Sequence, residues 1–258
     1  TSANVIFCSH QIAVALFDKL GATPQPGGSE TGPCSSSGIF IPGTTAPGTY
    51  TYTVSGTAPC SAASATVTVT VNTAPYAGVD GSVTLCNTSG AINLFAQLTG
   101  GPQTGGTWSN VNGAHPSIFV PGVDPEGVYT YTVAGVAPCT SDIATVTLVV
   151  NDQPAAGSNG TITVCSDDAP FALFDELNGT PGGGGTWKDP SNVTHNGIYI
   201  PGVSDPGVYT YTITGSAPCA NDAATVTVIE NALPDAVSPN VLSVCSDELP
   251  FQLIDELL

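Results

Sequence analysis

One sequence segment occurs three times along the chain, and this repetition constrains the fold more than any other feature. The segment Gly-Thr-Tyr-Thr-Tyr-Thr-Val-Ser-Gly-Thr-Ala-Pro-Cys ends at Cys60, and closely similar segments end at Cys139 and Cys219. The steps between these cysteines are 139 − 60 = 79 and 219 − 139 = 80 residues. Self-similarity at a fixed period of this size is the signature of a tandem array of small domains.

A second cysteine series has the same period and places the domain boundaries. Its members are Cys8, Cys86, Cys165 and Cys245, at steps of 86 − 8 = 78, 165 − 86 = 79 and 245 − 165 = 80 residues. Each copy ends in a short linker that closes with proline, which predicts semi-rigid connections. We therefore predict repeat 1 over residues 1–75, repeat 2 over 76–154 and repeat 3 over 155–234. Residues 235–258 would begin a fourth copy, so we expect the natural polypeptide to continue.

Each repeat carries the pattern of a small β-sandwich. Residues 208–214 alternate strictly, which puts Tyr209, Tyr211 and Ile213 on a core face and the intervening threonines outside. Residues 224–229 alternate in the same way, and five to seven such short strands fit in about 79 residues. The proline-glycine turn before Tyr209 resembles a tyrosine corner. The predicted fold is all-β, a disulfide-stapled array of immunoglobulin-like sandwiches, with one or two helical turns within residues 166–177.

The eight cysteines predict disulfides in an oxidising compartment, because they form no metal-binding spacing. We favour pairing within each repeat, namely Cys8–Cys60, Cys86–Cys139 and Cys165–Cys219. The alternative bridges neighbouring repeats, namely Cys60–Cys86, Cys139–Cys165 and Cys219–Cys245. Cys34 has no counterpart in the other repeats, and neither Cys34 nor Cys245 is assigned a role.

The charge balance excludes several classes of partner. Twenty acidic residues stand against two basic ones, Lys19 and Lys188, and the formal net charge is −18. Nucleic acids and anionic membranes require lysine and arginine to meet phosphate groups, so we expect neither as a partner. No apolar run has the length of a membrane span, which argues against membrane insertion.

No residue set in the sequence predicts catalysis, a metal or another cofactor. His115 and His195 occupy equivalent positions and have no second histidine nearby. The equivalents of the Asp175-Glu176 pair are Asp18-Lys19 in repeat 1 and Ala96-Gln97 in repeat 2, a variation that a solvated surface would allow. The linkers hold too few carboxylates for calcium. Trp108 and Trp187 remain as candidates for stacking on a sugar, although a tryptophan at a strand start also suits a core.

The combined motifs resemble the repeats of very large bacterial surface proteins. The motifs on which this resemblance rests are Gly-Gly-Thr-Trp, Gly-Ile-Tyr-Ile-Pro-Gly, Gly-Val-Tyr-Thr-Tyr-Thr and Ala-Thr-Val-Thr-Val, and together they occur along most of the chain. Such repeats are similar to those of gliding-motility adhesins exported by the type IX pathway. The resemblance implies a non-enzymatic extracellular stalk or filament whose partners are neighbouring repeats and other copies of itself. Two alternatives stay open: a module that binds a glycan or a surface through its variable loops, and an accessory region of a secreted enzyme.

Overall fold

The structure is a computed structural model that describes residues 2–21, 23–33 and 38–234. The chain divides into two compact units, the first over Thr1–Asn151 and the second beginning at Asp152. The first unit contains repeats 1 and 2, and the second contains repeat 3. The predicted all-β tandem architecture is confirmed, because strands and connecting turns make up each repeat.

The strands are short, and their bounds recur at the period of the sequence. In chain order they are β1 (Ala3–Cys8), β2 (Val14–Ala15), β3 (Ser29–Thr31), β4 (Ile39–Phe40), β5 (Gly48–Val54), β6 (Ala63–Asn72), β7 (Gly81–Cys86), β8 (Ile92–Asn93), β9 (Thr107–Asn110), β10 (Gly113–His115), β11 (Ile118–Phe119), β12 (Gly127–Val133), β13 (Asp142–Asn151), β14 (Gly160–Cys165), β15 (Phe171–Ala172), β16 (Thr186–Lys188), β17 (Thr194–His195), β18 (Ile198–Tyr199), β19 (Gly207–Ile213) and β20 (Asp222–Asn231).

Each repeat builds one main sheet with the same order of strands. The first strand pairs parallel with the last strand, which pairs antiparallel with the tyrosine-rich strand. The orders are β1-β6-β5-β3 in repeat 1, β7-β13-β12-β9-β10 in repeat 2 and β14-β20-β19-β16-β17 in repeat 3. A two-stranded sheet completes each repeat, formed by β2 with β4, β8 with β11, and β15 with β18.

The core of each repeat lies between its two sheets, on the face that the alternating pattern predicts. Tyr209 and Tyr211 on β19 are 1% and 2% exposed, and Val226 and Val228 on β20 are equally buried. They pack with Trp187, Tyr199 and Leu173 in one cluster. Repeats 1 and 2 have equivalent clusters of their own. The prediction of the core face is therefore confirmed.

The tyrosine corner is present in all three repeats. The hydroxyl of Tyr209 donates a hydrogen bond to the backbone carbonyl of Asp205 at 2.7 Å. Tyr129 and Tyr50 donate to the carbonyls four residues earlier in the same way, at 2.7 and 2.6 Å. This bond fixes the turn that leads into the tyrosine-rich strand, which is the feature seen in immunoglobulin-like sandwiches.

The predicted helical turns within residues 166–177 reduce to one 3-10 turn over Leu173–Glu176. It closes with the backbone N–H of Leu177 donating to the carbonyl of Phe174, and Leu177 returns to extended backbone. The apolar spacing of three that suggested a helix is also the period of a 3-10 turn. The turn buries Leu173 and Leu177 against the main sheet.

Candidate functional site

The cysteines lie at opposite ends of each repeat, and strand direction decides which end. Because β1 runs parallel to β6, Cys8 lies beside Asn72 where both strands finish. We call this end the tail pole of repeat 1 and define it by Cys8, Ser9 and Asn72. The turn Val136–Cys139 lies at the other end of repeat 2, between β12 and β13. We call residues 136–139 the head pole of repeat 2 and use the same two names for equivalent residues elsewhere.

A disulfide joins the tail pole of repeat 1 to the head pole of repeat 2. It links Cys8 to Cys139, whose Cα atoms are 5.0 Å apart and 131 positions apart in sequence. Cys86 and Cys219 are also disulfide-bonded. Of the cysteines that the structure describes, Cys60 and Cys165 are free thiols. Cys34 and Cys245 lie outside the described residues.

The favoured pairing within repeats was wrong, for a reason of strand geometry. That prediction placed Cys165 and Cys219 at one end of repeat 3. The structure instead pairs Cys165 with Asn231 at the end of β20, whereas Cys219 lies in the turn before Asp222 at its start. The ten residues of β20 rise about 3.3 Å each, so the two ends are roughly 30 Å apart. A disulfide requires Cα atoms within about 7 Å.

The same geometry contradicts the other pairs. Cys8 is bonded to Cys139, which excludes both Cys8–Cys60 and Cys86–Cys139. The free thiols of Cys60 and Cys165 exclude the alternative pairs Cys60–Cys86 and Cys139–Cys165. The disulfide between Cys8 and Cys139 therefore joins repeat 1 to repeat 2, whereas the favoured prediction placed the disulfides within repeats.

Hydrogen bonds complete the joint around the disulfide. The side-chain amide of Asn72 donates to the carbonyl of Ala137 at 2.8 Å and to that of Val136 at 3.3 Å. Within the tail pole, the N–H of Ser9 donates to the carbonyl of Asn72, and the Ser9 hydroxyl accepts from the N–H of Ala74. These bonds fix the path of the linker as it leaves repeat 1.

The linker then packs into repeat 2 instead of crossing solvent. Ala77 is fully buried, and its N–H donates to the Asp142 carboxylate at 2.8 Å. The carbonyl of Tyr76 accepts from the N–H of Gln103 at 2.9 Å. A linker held by burial and by specific hydrogen bonds gives the two repeats a defined connection, as its proline content predicted.

The sequence analysis did not single out His10, which lies at the joint. His10 follows the Cys8 strand, and its Nδ1 lies 3.1 Å from the Cys8 sulfur. Ligand atoms of Cys8, His10 and Cys139 lie within 4.8 Å of one another. The disulfide uses both cysteine sulfurs, so thiolate ligands would exist here only after reduction. No sequence spacing connects Cys139 to this pair, which explains why only the structure brings them together.

The two histidines that the sequence discounted have packing roles. His115 lies edge-on against the ring of Tyr129, with centroids 4.8 Å apart, and its Nε2 is 3.4 Å from the Asp124 carboxylate. His195 packs on Tyr209 in the equivalent place at 5.0 Å. Each ring supports the tyrosine corner of its repeat. Asp175 and Glu176 belong to the 3-10 turn described above.

The two tryptophans belong to the cores. Trp108 and Trp187 are 6% and 7% exposed, and each ring centroid lies 5.0 Å from that of the neighbouring tyrosine, Tyr131 or Tyr211. Trp108 lines a cavity of about 280 Å³ together with Phe95 and Tyr131. Stacking on a sugar needs an open ring face, so the burial supports the core role. Contact with a glycan stays a prediction.

The free thiol of Cys165 has a carboxylate neighbour. A hydrogen bond to the side chain of Asp167 raises the pKa of this thiol above its ordinary value of 9.0. The thiol donates this hydrogen bond to the carboxylate, which stabilises the neutral, protonated form of the cysteine. Cys165 is therefore protonated at neutral pH and a weak nucleophile.

Comparison with known proteins identifies no family for this chain. No family model matches the chain, and no curated protein matches its sequence. An I-band fragment from titin is 14% identical over 89% of this chain and 96% of its own, with a TM-score of 0.48. Sidekick-1 immunoglobulin domains 1–4 are 12% identical over 90% and 74%, with a TM-score of 0.40. The insect immune protein hemolin is 14% identical over 71% and 56%, with a TM-score of 0.35.

Within the part of the chain that the structure describes, no helix is long and apolar enough to cross a bilayer.

Proposed function

We propose that this chain is a non-enzymatic structural repeat protein of an extracellular stalk or filament, of the kind found in bacterial surface adhesins. Its function is mechanical: the chain supplies length to the stalk or filament and resists being stretched. The observation that carries this proposal is the disulfide between Cys8 and Cys139, which joins two consecutive repeats at their facing poles.

The disulfide shields most of two repeats from a pulling force. Force applied at the ends of the first unit passes from Cys8 through the sulfur atoms to Cys139, and the chain between them carries no load. That segment is 131 residues by sequence separation. Unfolding can then lengthen the first unit only through residues 1–7 and 140–151, which lie outside the loop that the disulfide closes. Such a joint suits a fibre that must keep its length.

Composition supports a location outside the cell. A disulfide at a structural joint requires an oxidising compartment. The net charge of −18 comes from only 9% charged residues, so the surface is mostly uncharged polar side chains. A surface of this kind limits association with other anionic surfaces, which fits a protein at a cell exterior.

Single-molecule force spectroscopy tests the proposal. Handles at residues 1 and 152 of the full chain isolate the first unit. We expect the oxidised protein to extend very little, and the Cys8→Ser/Cys139→Ser variant to gain the released segment. At about 3.4 Å per residue, 131 residues correspond to roughly 450 Å.

The matched control is Cys60→Ser, which removes an exposed free thiol and leaves the joint intact. It should extend as little as the native chain. Equal extension of the native and double-serine proteins would refute the shielding role, and with it the mechanical function.

A further inference from the structure

A tight turn follows the tail-pole cysteine in repeats 1 and 2. The N–H of Gln11 donates to the carbonyl of Cys8 at 3.0 Å, and the N–H of Cys8 donates to the side-chain oxygen of Gln11 at 2.9 Å. Repeat 2 makes the same two bonds between Cys86 and Ser89, at 2.9 and 3.2 Å. This turn brings the side chain of the residue two positions after the cysteine back to the cysteine sulfur.

The fold fixes this contact, and the residue type decides its chemistry. In repeat 2 the contact is made by Thr88, whose hydroxyl donates to the sulfur of Cys86 at 3.3 Å. In repeat 1 it is made by His10, whose Nδ1 lies 3.1 Å from the sulfur of Cys8. Neutral imidazole is the commonest metal ligand among side chains, so repeat 1 has a ligand where repeat 2 has a hydroxyl.

The head pole of repeat 2 adds a second sulfur to this pair. Ligand atoms of Cys8, His10 and Cys139 lie within 4.8 Å of one another, and no other group of three such side chains is found among the residues that the structure describes. Both cysteines are buried, whereas His10 is exposed. A metal ion can therefore reach the sulfurs from the histidine side, and the protein covers them elsewhere.

The spacing of these atoms fits a zinc ion once the disulfide is reduced. Zinc bonds of about 2.3 Å to sulfur and about 2.0 Å to nitrogen place tetrahedral ligand atoms roughly 3.5–3.8 Å apart. The distance of 3.1 Å between His10 and Cys8 is close to this range. The Cα atoms of Cys8 and Cys139 are 5.0 Å apart, so rotation of the two side chains can separate the sulfurs to the required spacing. Two thiolates and an imidazole favour zinc over calcium and magnesium, which bind oxygen ligands.

Contacts that do not involve the disulfide hold the two poles together. The Asn72 side chain donates to two carbonyl groups of the head pole, at 2.8 and 3.3 Å. The linker is anchored in repeat 2 by the buried Ala77, whose N–H donates to the Asp142 carboxylate at 2.8 Å. These bonds remain when the disulfide is reduced, so they keep the two cysteines facing each other. Ligands that are already in place lose little conformational freedom when the ion binds.

We propose that the joint between repeats 1 and 2 binds a zinc ion when its disulfide is reduced, with Cys8, His10 and Cys139 as protein ligands and a water molecule as the fourth. The Nδ1 atom of His10 gives its lone pair to the ion, and the ring proton lies on Nε2. The ion then connects the tail pole to the head pole, so the joint is closed in both redox states. This inference concerns the reduced chain and goes beyond the filament function proposed above.

The change from disulfide to zinc site needs a reductant, for which a trialkylphosphine serves. The phosphine attacks one sulfur and breaks the S–S bond, and water converts it to the phosphine oxide. Two electrons pass from phosphorus to the two sulfurs, and the hydrogen atoms of the water complete two thiols. Zinc then displaces both thiol protons, which go to the buffer. Two thiolates neutralise the charge of the ion, so no net charge is buried.

The test titrates zinc into the reduced, metal-free chain of 258 residues, in competition with a chromophoric chelator. We expect a tight site that the oxidised chain does not have. His10→Thr should raise the Kd for zinc at least about 10- to 100-fold, since even the loss of an outer-shell partner costs that much. Threonine is the residue that repeat 2 has at this position, so the variant should keep the turn.

Alkylation with iodoacetamide, followed by peptide mapping, identifies the ligands. Zinc should slow the alkylation of Cys8 and Cys139 in the reduced native chain, and it should do so much less in His10→Thr. The exposed Cys60 is the internal control and should react equally fast with and without zinc. Cobalt is a second probe: the sulfur-to-cobalt charge-transfer band of the native chain should be weaker in Cys139→Ser.

Three results would overturn the proposal. The first is an equal affinity for zinc in the native chain and in His10→Thr. The second is protection by zinc of other cysteines but not of Cys8 and Cys139. The third is an oxidised chain that binds zinc as tightly as the reduced one, which would place the site elsewhere. None of these results bears on the force response of the oxidised first unit, so the filament function is tested separately.

Discussion

Repeats 1 and 2 have main sheets of the same design that differ at one edge. The tyrosine-rich strand pairs with the last strand in the same register in both, and each repeat has a tyrosine corner. The next strand differs: Trp108 of β9 faces Tyr131, whereas Glu30 of β3 faces Tyr52. In repeat 2, β10 lies beyond this strand, and the described residues of repeat 1 form no counterpart of it. The features common to both repeats are the tyrosine-rich strand, the last strand and the tyrosine corner, and these are the features that the core and the joint require.

Repeat 1 has an aromatic stack on its first strand that repeat 2 does not have. Phe7 and Phe40 stack with centroids 5.7 Å apart. The edge-to-face contact of Phe17 with Tyr52 at 5.2 Å is common to both repeats, since Phe95 meets Tyr131 in the same way at 5.4 Å. Phe7 stands where repeat 2 has Leu85. Apolar area is thus gained on the first strand, at the far side of the sheet from Glu30. The difference indicates that this fold tolerates a polar residue on one edge strand when the strand at the opposite edge of the sheet is well packed.

The largest effect should come from deleting the tryptophan of repeat 2. Trp108→Ala removes a 6% exposed ring from the core, and we expect a loss of about 3–5 kcal/mol in the free energy of unfolding of repeat 2. Hydrogen exchange of β12 and β13 measures it. Glu30→Ala is the matched variant in repeat 1 and should cost far less. Equal losses would contradict the comparison.

Removing the joint should have the next largest effect. The Cys8→Ser/Cys139→Ser variant is expected to lower the stability of the first unit by about 3 kcal/mol, and to let repeats 1 and 2 melt separately. Calorimetry would show this as two transitions. The Cys60→Ser control should leave the melting profile unchanged. A shift in the melting profile of this variant would indicate that Cys60 forms a structural bond, which contradicts the free thiol of the structure.

Breaking the tyrosine corner should lower the free energy of unfolding by a smaller amount, and this amount should be the same in repeat 1 and repeat 2. Tyr50→Phe and Tyr129→Phe each remove one hydrogen bond to a backbone carbonyl. The expected cost is about 1 kcal/mol in both, as measured by chemical denaturation. A loss confined to one repeat would show that the corner does not have the same role in each.

The smallest effect concerns the acid at the edge of repeat 1. Burial raises the pKa of Glu30 above its ordinary value of 4.5. The folded state therefore binds the proton more tightly, so the contribution of Glu30 to stability falls as pH rises above 4.5 through the folded pKa. Glu30→Gln should stabilise repeat 1 more at pH 7 than at pH 4. A pH-independent effect would show that burial does not perturb this group.

The strands and their core faces could be predicted from the sequence, because alternation fixes which side of a sheet each residue faces. The period could be predicted because one motif recurs three times along the chain. Tyr209 and Tyr211 illustrate this, since a slip of one residue would expose both. Cysteine pairing could not be predicted in this way. It depends on whether the first strand runs parallel or antiparallel to the last, and alternation is the same in both directions.

The joint between repeats also lay beyond sequence reasoning. The linker was recognised from Pro75, but the burial of Ala77 depends on packing against strands that are distant in sequence. Residues 75–78 and 154–157 have the same pattern Pro-Xaa-Ala-Gly, and the folded structure shows that the alanine is buried in both. The role of the turn Val136–Cys139 follows in the same way from the hydrogen bond that the Asn72 side chain donates to the Ala137 carbonyl.

Non-reducing peptide mapping of the native chain by mass spectrometry tests the central claim most directly. A digest should yield a peptide pair that links Cys8 to Cys139, which would establish that disulfides staple consecutive repeats together. A link from Cys8 to Cys60, or from Cys86 to Cys139, would show that each repeat closes on itself, and the mechanical account of the joint would be wrong.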